Sequence, residues 1–174
     1  DDNQAGSFGL CGTGWNTGAN GDAATCTKAA DLYSCCYASC QKLGKCGGAF
    51  GQSKCSWSTC YDDVDFTRKL IEHLGERMCI NLAAIFVSGV SNGGMASFTI
   101  AQTIPELIAG VLPVFGLPLL GHLNPPKEVS TIPYLFLSGR QDRVVPIDGS
   151  LSDQGWHYLT AAAAAAAWAA AHGC

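Results

Sequence analysis

One short stretch restricts the possible folds of this chain more than any other. Leu82-Ala83-Ala84-Ile85-Phe86-Val87-Ser88 is an apolar run with the length and bulk of a buried strand. Met95 to Thr103 reads as a helix that ends before Pro105. Between them, Gly89-Val90-Ser91-Asn92-Gly93 fits G-x-S-x-G. In a chain with 21 glycines that pattern alone is weak. A strand running straight in and a helix running straight out is, however, the setting of a nucleophile elbow. The turn is tight enough to strain the serine, and the flanking glycines let neighbouring chain pass without a Cβ clash. The Ser91 hydroxyl then projects at the N-terminus of the following helix, where the Asn92 N–H can donate to a developing oxyanion. The plainer reading is a glycine-rich turn holding an ordinary serine.

The flanking elements extend the pattern. Asp62 is placed to cap a helix whose Phe66, Leu70 and Leu74 recur at intervals of four, with Ile71 and Met78 beside them. Further strands are expected at Ala109 to Val114 and Tyr134 to Ser138. The last helix is alanine-rich and closes at Gly173. Alanine is the best helix former but supplies no apolar stripe, so the alanines at 161–167 and 169–171 read as placeholders for side chains not identified and are not taken literally. The element order implies an α/β fold, a parallel sheet covered on both faces by helices. The expectation is one domain over 1–174 carrying a cysteine-rich insertion at 19–60, with a short helix at Asp31 to Cys40.

A serine hydroxyl needs a base oriented by a carboxylate, and in this strand-turn-helix setting the chain order is serine, acid, histidine. Asp142 lies just past the third strand, at the edge where ligands gather on a parallel sheet. Asp148 and Asp153 lie deeper in loop, and the plain alternative for Asp142 is a solvated loop carboxylate or a partner for Arg140 or Arg143. The histidine is harder to place. His73 falls on the early helix and His122 in a Pro/Gly loop. His157 and His172 follow Asp142 in the required order, but neither has the loop context of a base reaching back over the sheet. They stand as weak candidates.

The ten cysteines are Cys11, Cys26, Cys35, Cys36, Cys40, Cys46, Cys55, Cys60, Cys79 and Cys174. The dense run lacks paired C-x2-C spacing and has no histidine, which argues against a metal site and for disulfides in an oxidising compartment. Their connectivity is open. The net charge of −4 and the scattered basic residues argue against nucleic acid or an anionic membrane. Ile108 to Leu120 is too short to span a membrane and is broken by Pro113 and Pro118. The acidic start is not a signal peptide and reads as a processed or truncated terminus.

These residues together resemble the secreted α/β-hydrolases grouped around polyhydroxyalkanoate depolymerases and feruloyl or acetylxylan esterases. The matching pieces are Trp15-Asn16-Thr17-Gly18, Asp62-Asp63-Val64-Asp65-Phe66, Gly89 to Met95, Pro105-Glu106-Leu107, Ala109 to Gly116, Gly139 to Pro146 with Gly149, and Trp168 with Gly173-Cys174. The resemblance implies a partial α/β-hydrolase fold with Ser91 as nucleophile and Asp142 as its acid. It implies a catalytic histidine in a loop following the final helix, outside these residues. The family has asparagine where His172 stands. The early strands and the His-Gly loop carrying the second oxyanion donor precede the Trp-Asn segment in that family, and its loop at the cysteine-rich insertion is much shorter.

The resulting expectation is a secreted serine esterase, without metal or organic cofactor, acting on a polyester or a carbohydrate-linked ester. The insertion could serve as lid, substrate wall or protein-partner surface. The alternative is a catalytically inactive hydrolase fold kept as an extracellular structural or binding protein. A lipase-like enzyme is disfavoured because no long apolar lid appears.

Overall fold

Asp62 does what its position suggests. In the computed structural model, which describes residues 14–17, 27, 38–43 and 59–174, its carboxylate accepts the Asp65 N–H at 2.9 Å and starts a helix. The elements run α1 (Ala38–Lys42), α2 (Asp63–Arg77), β1 (Phe86–Val90), α3 (Asn92–Thr103), β2 (Gly110–Val114) and α4 (Ala161–Ala171). Two 3-10 turns, Pro105–Leu107 and Lys127–Thr131, join them.

β1 and β2 are parallel, with Phe86 opposite Gly110 and Val90 opposite Val114. The expected third strand is reduced to two parallel bridges, Val111 with Tyr134 and Val114 with Leu137. Pro113 has no N–H to give, which interrupts the ladder between them. The three segments still lie side by side with β2 in the middle, and their carboxyl ends share one edge. β1 begins at Phe86 rather than Leu82, because the Asn81 side chain and carbonyl hold the amides of Ala83 and Ala84 in a turn. α3 begins at Asn92, three residues before the expected Met95.

Only one face of this sheet is covered by the described helices. Phe98 of α3 and Trp168 of α4 both meet the Tyr134 ring, at 5.6 and 5.5 Å between centroids. α3 is buried along its length, at Met95, Phe98, Ile100 and Ala101. The opposite face carries Phe86, Val90, Leu135 and Leu137, all exposed, Phe86 at 71%. The expectation of a buried β1 covered on both sides is therefore corrected. An apolar run records the character of a strand and not which of its faces the described chain covers. α2 is corrected in the same way. Phe66, Leu70 and Met78 are exposed, and the helix turns Ile71 inward, with Val64 partly buried against the core. Arg68–Glu106 and Lys69–Asp65 ion pairs dress its outer surface.

Trp168 fixes α4. It is 2% exposed, donates its indole N–H to the Ile132 carbonyl at 3.0 Å and packs its ring on Tyr134 and Phe98. Trp168→Ala is expected to cost about 3–5 kcal/mol in a urea titration. Trp168→Phe, which keeps a ring and loses the hydrogen bond, should cost roughly 1 kcal/mol plus a packing defect.

The Cys40 and Cys60 sulfurs are joined in the structure, and the Ser39 hydroxyl beside them accepts the Cys60 N–H. Cys79 and Cys174 are corrected to free, exposed thiols, one past the end of α2 and the other past α4. No described cysteine is brought to either. Cys11, Cys26, Cys35, Cys36, Cys46 and Cys55 lie outside the described residues, as does most of the 19–60 insertion. Of the helix expected at Asp31 to Cys40, the described part is α1, which begins at Ala38 and continues to Lys42. No helix among the described residues is long and apolar enough to cross a membrane.

Candidate active site

Ser91 joins β1 to α3 with φ 55° and ψ −118°, a conformation that a residue with a Cβ rarely adopts. Holding it there costs on the order of 1–3 kcal/mol, which the surrounding backbone must supply. Its N–H is donated to the Val114 carbonyl at 2.9 Å, and its own carbonyl accepts the Met95 N–H at 3.1 Å. Two nearby glycines, Gly89 and Gly116, are steric necessities. A Cβ on Gly93, by contrast, would meet nothing nearer than the Trp15 indole nitrogen at 3.8 Å, which corrects the expectation that both motif glycines are needed to avoid a clash. A Cβ on Gly89 would stand 2.4 Å from the Gly93 carbonyl carbon and oxygen. A Cβ on Gly116, at the far end of β2, would stand 2.2 Å from the Ser91 carbonyl oxygen.

The Ser91 side chain makes no capping bond to the helix it precedes and opens on a cavity of about 420 Å³. Asn92 is the first residue of α3, so its N–H has no acceptor within the helix. That free donor, beside Ser91 and at the positive end of the helix dipole, is what an oxyanion requires. The Asn92 side chain has a separate task. Its Oδ1 accepts the Trp15 N–H at 2.6 Å, while its Nδ2 is buried without a partner among the described residues. Asn16 meanwhile donates its N–H to Asp63 and its side-chain amide to the Tyr61 carbonyl. The Trp15-Asn16 pair thus ties the elbow to the start of α2, and the half-exposed Trp15 indole becomes a cavity wall.

Asp142 lies past the third segment at the same carboxyl edge. Its Oδ1 accepts the amides of Val144 and Val145, both at 2.9 Å, which fixes the carboxylate. Oδ2 takes no hydrogen bond from a described residue. The buried Tyr158 hydroxyl is pushed well above its ordinary pKa, by burial first and by the Asp142 charge second. The competing carboxylates are occupied elsewhere. Asp153 pairs with Arg143 at 3.1 Å, and Asp148 closes its own turn on the Ser150 amide at 3.0 Å. The suggestion that Asp142 serves Arg143 is thereby corrected.

The histidines are dispersed. His172 sits at the end of α4 with Nε2 3.1 Å from the Ile132 carbonyl, at the amino edge of the sheet and away from Ser91. It is not placed to act as base. His157 adjoins the bridge of Tyr158 with Leu119. Neighbouring side chains alternate in extended chain, so with Tyr158 turned inward His157 points outward. His73 is exposed on α2, and His122 borders a small recess with Thr17 and Met95. None lines the cavity at Ser91 or the cleft at Asp142. Among the described residues no cluster of three His, Cys, Asp or Glu could hold a metal.

Two features escaped the sequence reading. Nothing local marks Gly116, yet its missing side chain is what lets β2 pass under Ser91. Phe115 holds a second positive φ, 50°, unusual for so large a residue. The sequence signal was a bulky residue next to a glycine at a strand end.

Known proteins are similar to part of this chain. The chain is 35% identical over 91 residues to the putative esterase NocK of Nocardia uniformis subsp. tsuyamanensis, across 50% of this chain and 25% of that one. It is 31% identical over 111 residues to feruloyl esterase B of Piromyces equi, across 63% of this chain and 20% of that one. The chain thus spans a quarter or less of the length of these relatives. The solved structure of a thermostable esterase superposes with a TM-score of 0.45 at 26% identity, over 52% of this chain and 23% of the other. No family model matches the sequence.

Proposed function

We propose that this chain is the nucleophile-bearing part of a serine esterase of the α/β-hydrolase type. The observation that carries the reading is Ser91 itself, held at φ 55° and ψ −118° between a parallel strand and a helix. A strained residue kept by its surroundings points to chemistry at that residue. The esterase names of both relatives support the same reading.

In this mechanism Ser91 Oγ attacks the ester carbonyl carbon while a base takes its proton. The carbonyl oxygen becomes an oxyanion facing the Asn92 N–H. Collapse expels the alcohol, which receives the proton from the base, and leaves an acyl-Ser91. Water then adds to the acyl carbon by the same route, releasing the acid and restoring the serine. Asp142 orients the base through Oδ2. The base is a histidine supplied by polypeptide outside the residues described, since none of the described histidines lines the cavity at Ser91 or the cleft at Asp142. No metal or organic cofactor takes part in these steps.

The substrate is an ester of a polymer or a polysaccharide, and the protein is secreted. The Cys40–Cys60 disulfide supports an oxidising compartment. The subgroup around polyhydroxyalkanoate depolymerases is one source of candidate substrates, so hydroxybutyrate, acetyl and feruloyl esters should be tested side by side with the full-length polypeptide. Measurable turnover of one of them is expected, and inertness toward all three classes would reject the reading. Within an active protein, Asp142→Asn keeps an acceptor for Val144 and Val145 but presents the base with the wrong group. A fall in kcat of about 10⁴ is expected, with little change in KM.

A further inference from the structure

We infer that Phe115 is a positioning residue, whose ring supports the base as it bridges Ser91 and Asp142. The inference rests on the serine-esterase reading above and adds a residue that reading does not use. β2 lies between β1 and the third segment, paired with both. The carboxyl ends therefore stand in the order Ser91, Phe115, then Gly139 leading to Asp142. With neighbouring strands about 4.8 Å apart, the two outer ends are separated by about 10 Å. A base hydrogen-bonded to both must lie across the end of β2, and Phe115 is the residue standing there.

The local structure gives that ring a fixed place. The Phe115 N–H is donated to the Leu137 carbonyl at 2.8 Å, Val114 on one side accepts the Ser91 N–H, and Gly116 on the other passes against the Ser91 carbonyl. These contacts force the turn, and φ 50° is the result. Glycine would adopt it freely, yet the position holds an aromatic side chain that is 45% exposed. The ring is therefore not there to fill the core. It lines an open cleft of about 860 Å³ together with Gly139, Arg140, Gln141 and Asp142. Arg140 and Asp142 are the charged groups of that cleft. A ring face against an imidazole fixes its plane, and it bears on the charged form through both its π face and its shielding from water.

The test compares Phe115→Gly and Phe115→Leu with the parent in the full-length protein, on whichever ester the parent turns over. Phe115→Gly should lower kcat at least ten-fold at nearly unchanged KM, and the acidic limb of the kcat/KM profile should shift from its parent position as the ring leaves the base. Its melting temperature should hold or rise, because the strained φ is relieved. Phe115→Leu, which keeps an apolar side chain, should recover activity to within a few-fold of the parent. An unchanged kcat and acidic limb in Phe115→Gly would overturn the inference. So would a loss of activity that tracks a falling melting temperature and is not recovered in Phe115→Leu. Fluorophosphonate labelling separates the two levels. A parent that labels at Ser91, with Phe115→Gly labelling equally fast, removes Phe115 alone. A parent that does not label removes the serine reading and Phe115 with it.

Discussion

Ser91→Ala is expected to reduce ester hydrolysis by about six orders of magnitude, to the level left by binding and the oxyanion donor alone. The effect is large because the covalent route disappears when its oxygen does. The fold should barely notice. Alanine keeps the Cβ, so φ 55° remains as strained as before, and the Ser91 hydroxyl caps nothing. Ser91→Gly separates chemistry from strain. It should be equally inactive, yet more stable by about 1–3 kcal/mol, since glycine adopts that conformation without penalty. Urea titrations of the parent and both variants, run beside steady-state rates, would read the two effects independently. A Ser91→Gly protein no more stable than Ser91→Ala would mean that the turn stores no strain.

Gly116→Ala should be the most damaging single-methyl change outside the motif. The added Cβ would meet the Ser91 oxygen at 2.2 Å, the Gly94 Cα at 2.9 Å and the Met95 nitrogen at 3.0 Å. All three are backbone atoms, so no side chain can swing aside. Either β2 moves out of register with the elbow or α3 is displaced, and a cost of about 4 kcal/mol or more is expected. Gly121→Ala is the matched control. Its φ is +80°, but nothing lies within 4 Å of the added carbon. That variant should lose only the roughly 1–2 kcal/mol of a left-handed alanine. Comparable losses at the two positions, measured by chemical denaturation, would mean that the close approach at Ser91 is not what holds Gly116.

What the sequence disclosed was local. The Asp62 cap, the turn at Ser91 and the placing of Asp142 after a strand each follow from residues within a few positions of one another. The misread features depend on what lies across the fold. The hydrophobicity of β1 and of the Phe66-Leu70 stripe could not reveal which faces the described chain covers. The third strand looked continuous, yet its pairing is broken opposite Pro113, a partner more than twenty residues away. Gly116 and Phe115 matter because β2 passes under Ser91, an encounter no local pattern records. His172 is different, because it could have been placed. A helix following a strand in a parallel sheet runs back toward the amino edge, so a histidine at its end stands far from a serine at the carboxyl edge. Chain order kept His172 as a candidate where direction would have removed it.

The central claim is that Ser91 is an activated nucleophile, and covalent labelling tests it most directly. The folded, non-reduced full-length polypeptide would be treated with a fluorophosphonate, digested, and its peptides mapped by mass spectrometry. A single adduct on Ser91, absent from Ser91→Ala and much slower in Asp142→Asn, is the predicted result. Folded protein that leaves Ser91 unmodified would contradict the account, and the fold would then have to be valued for its surface rather than its chemistry.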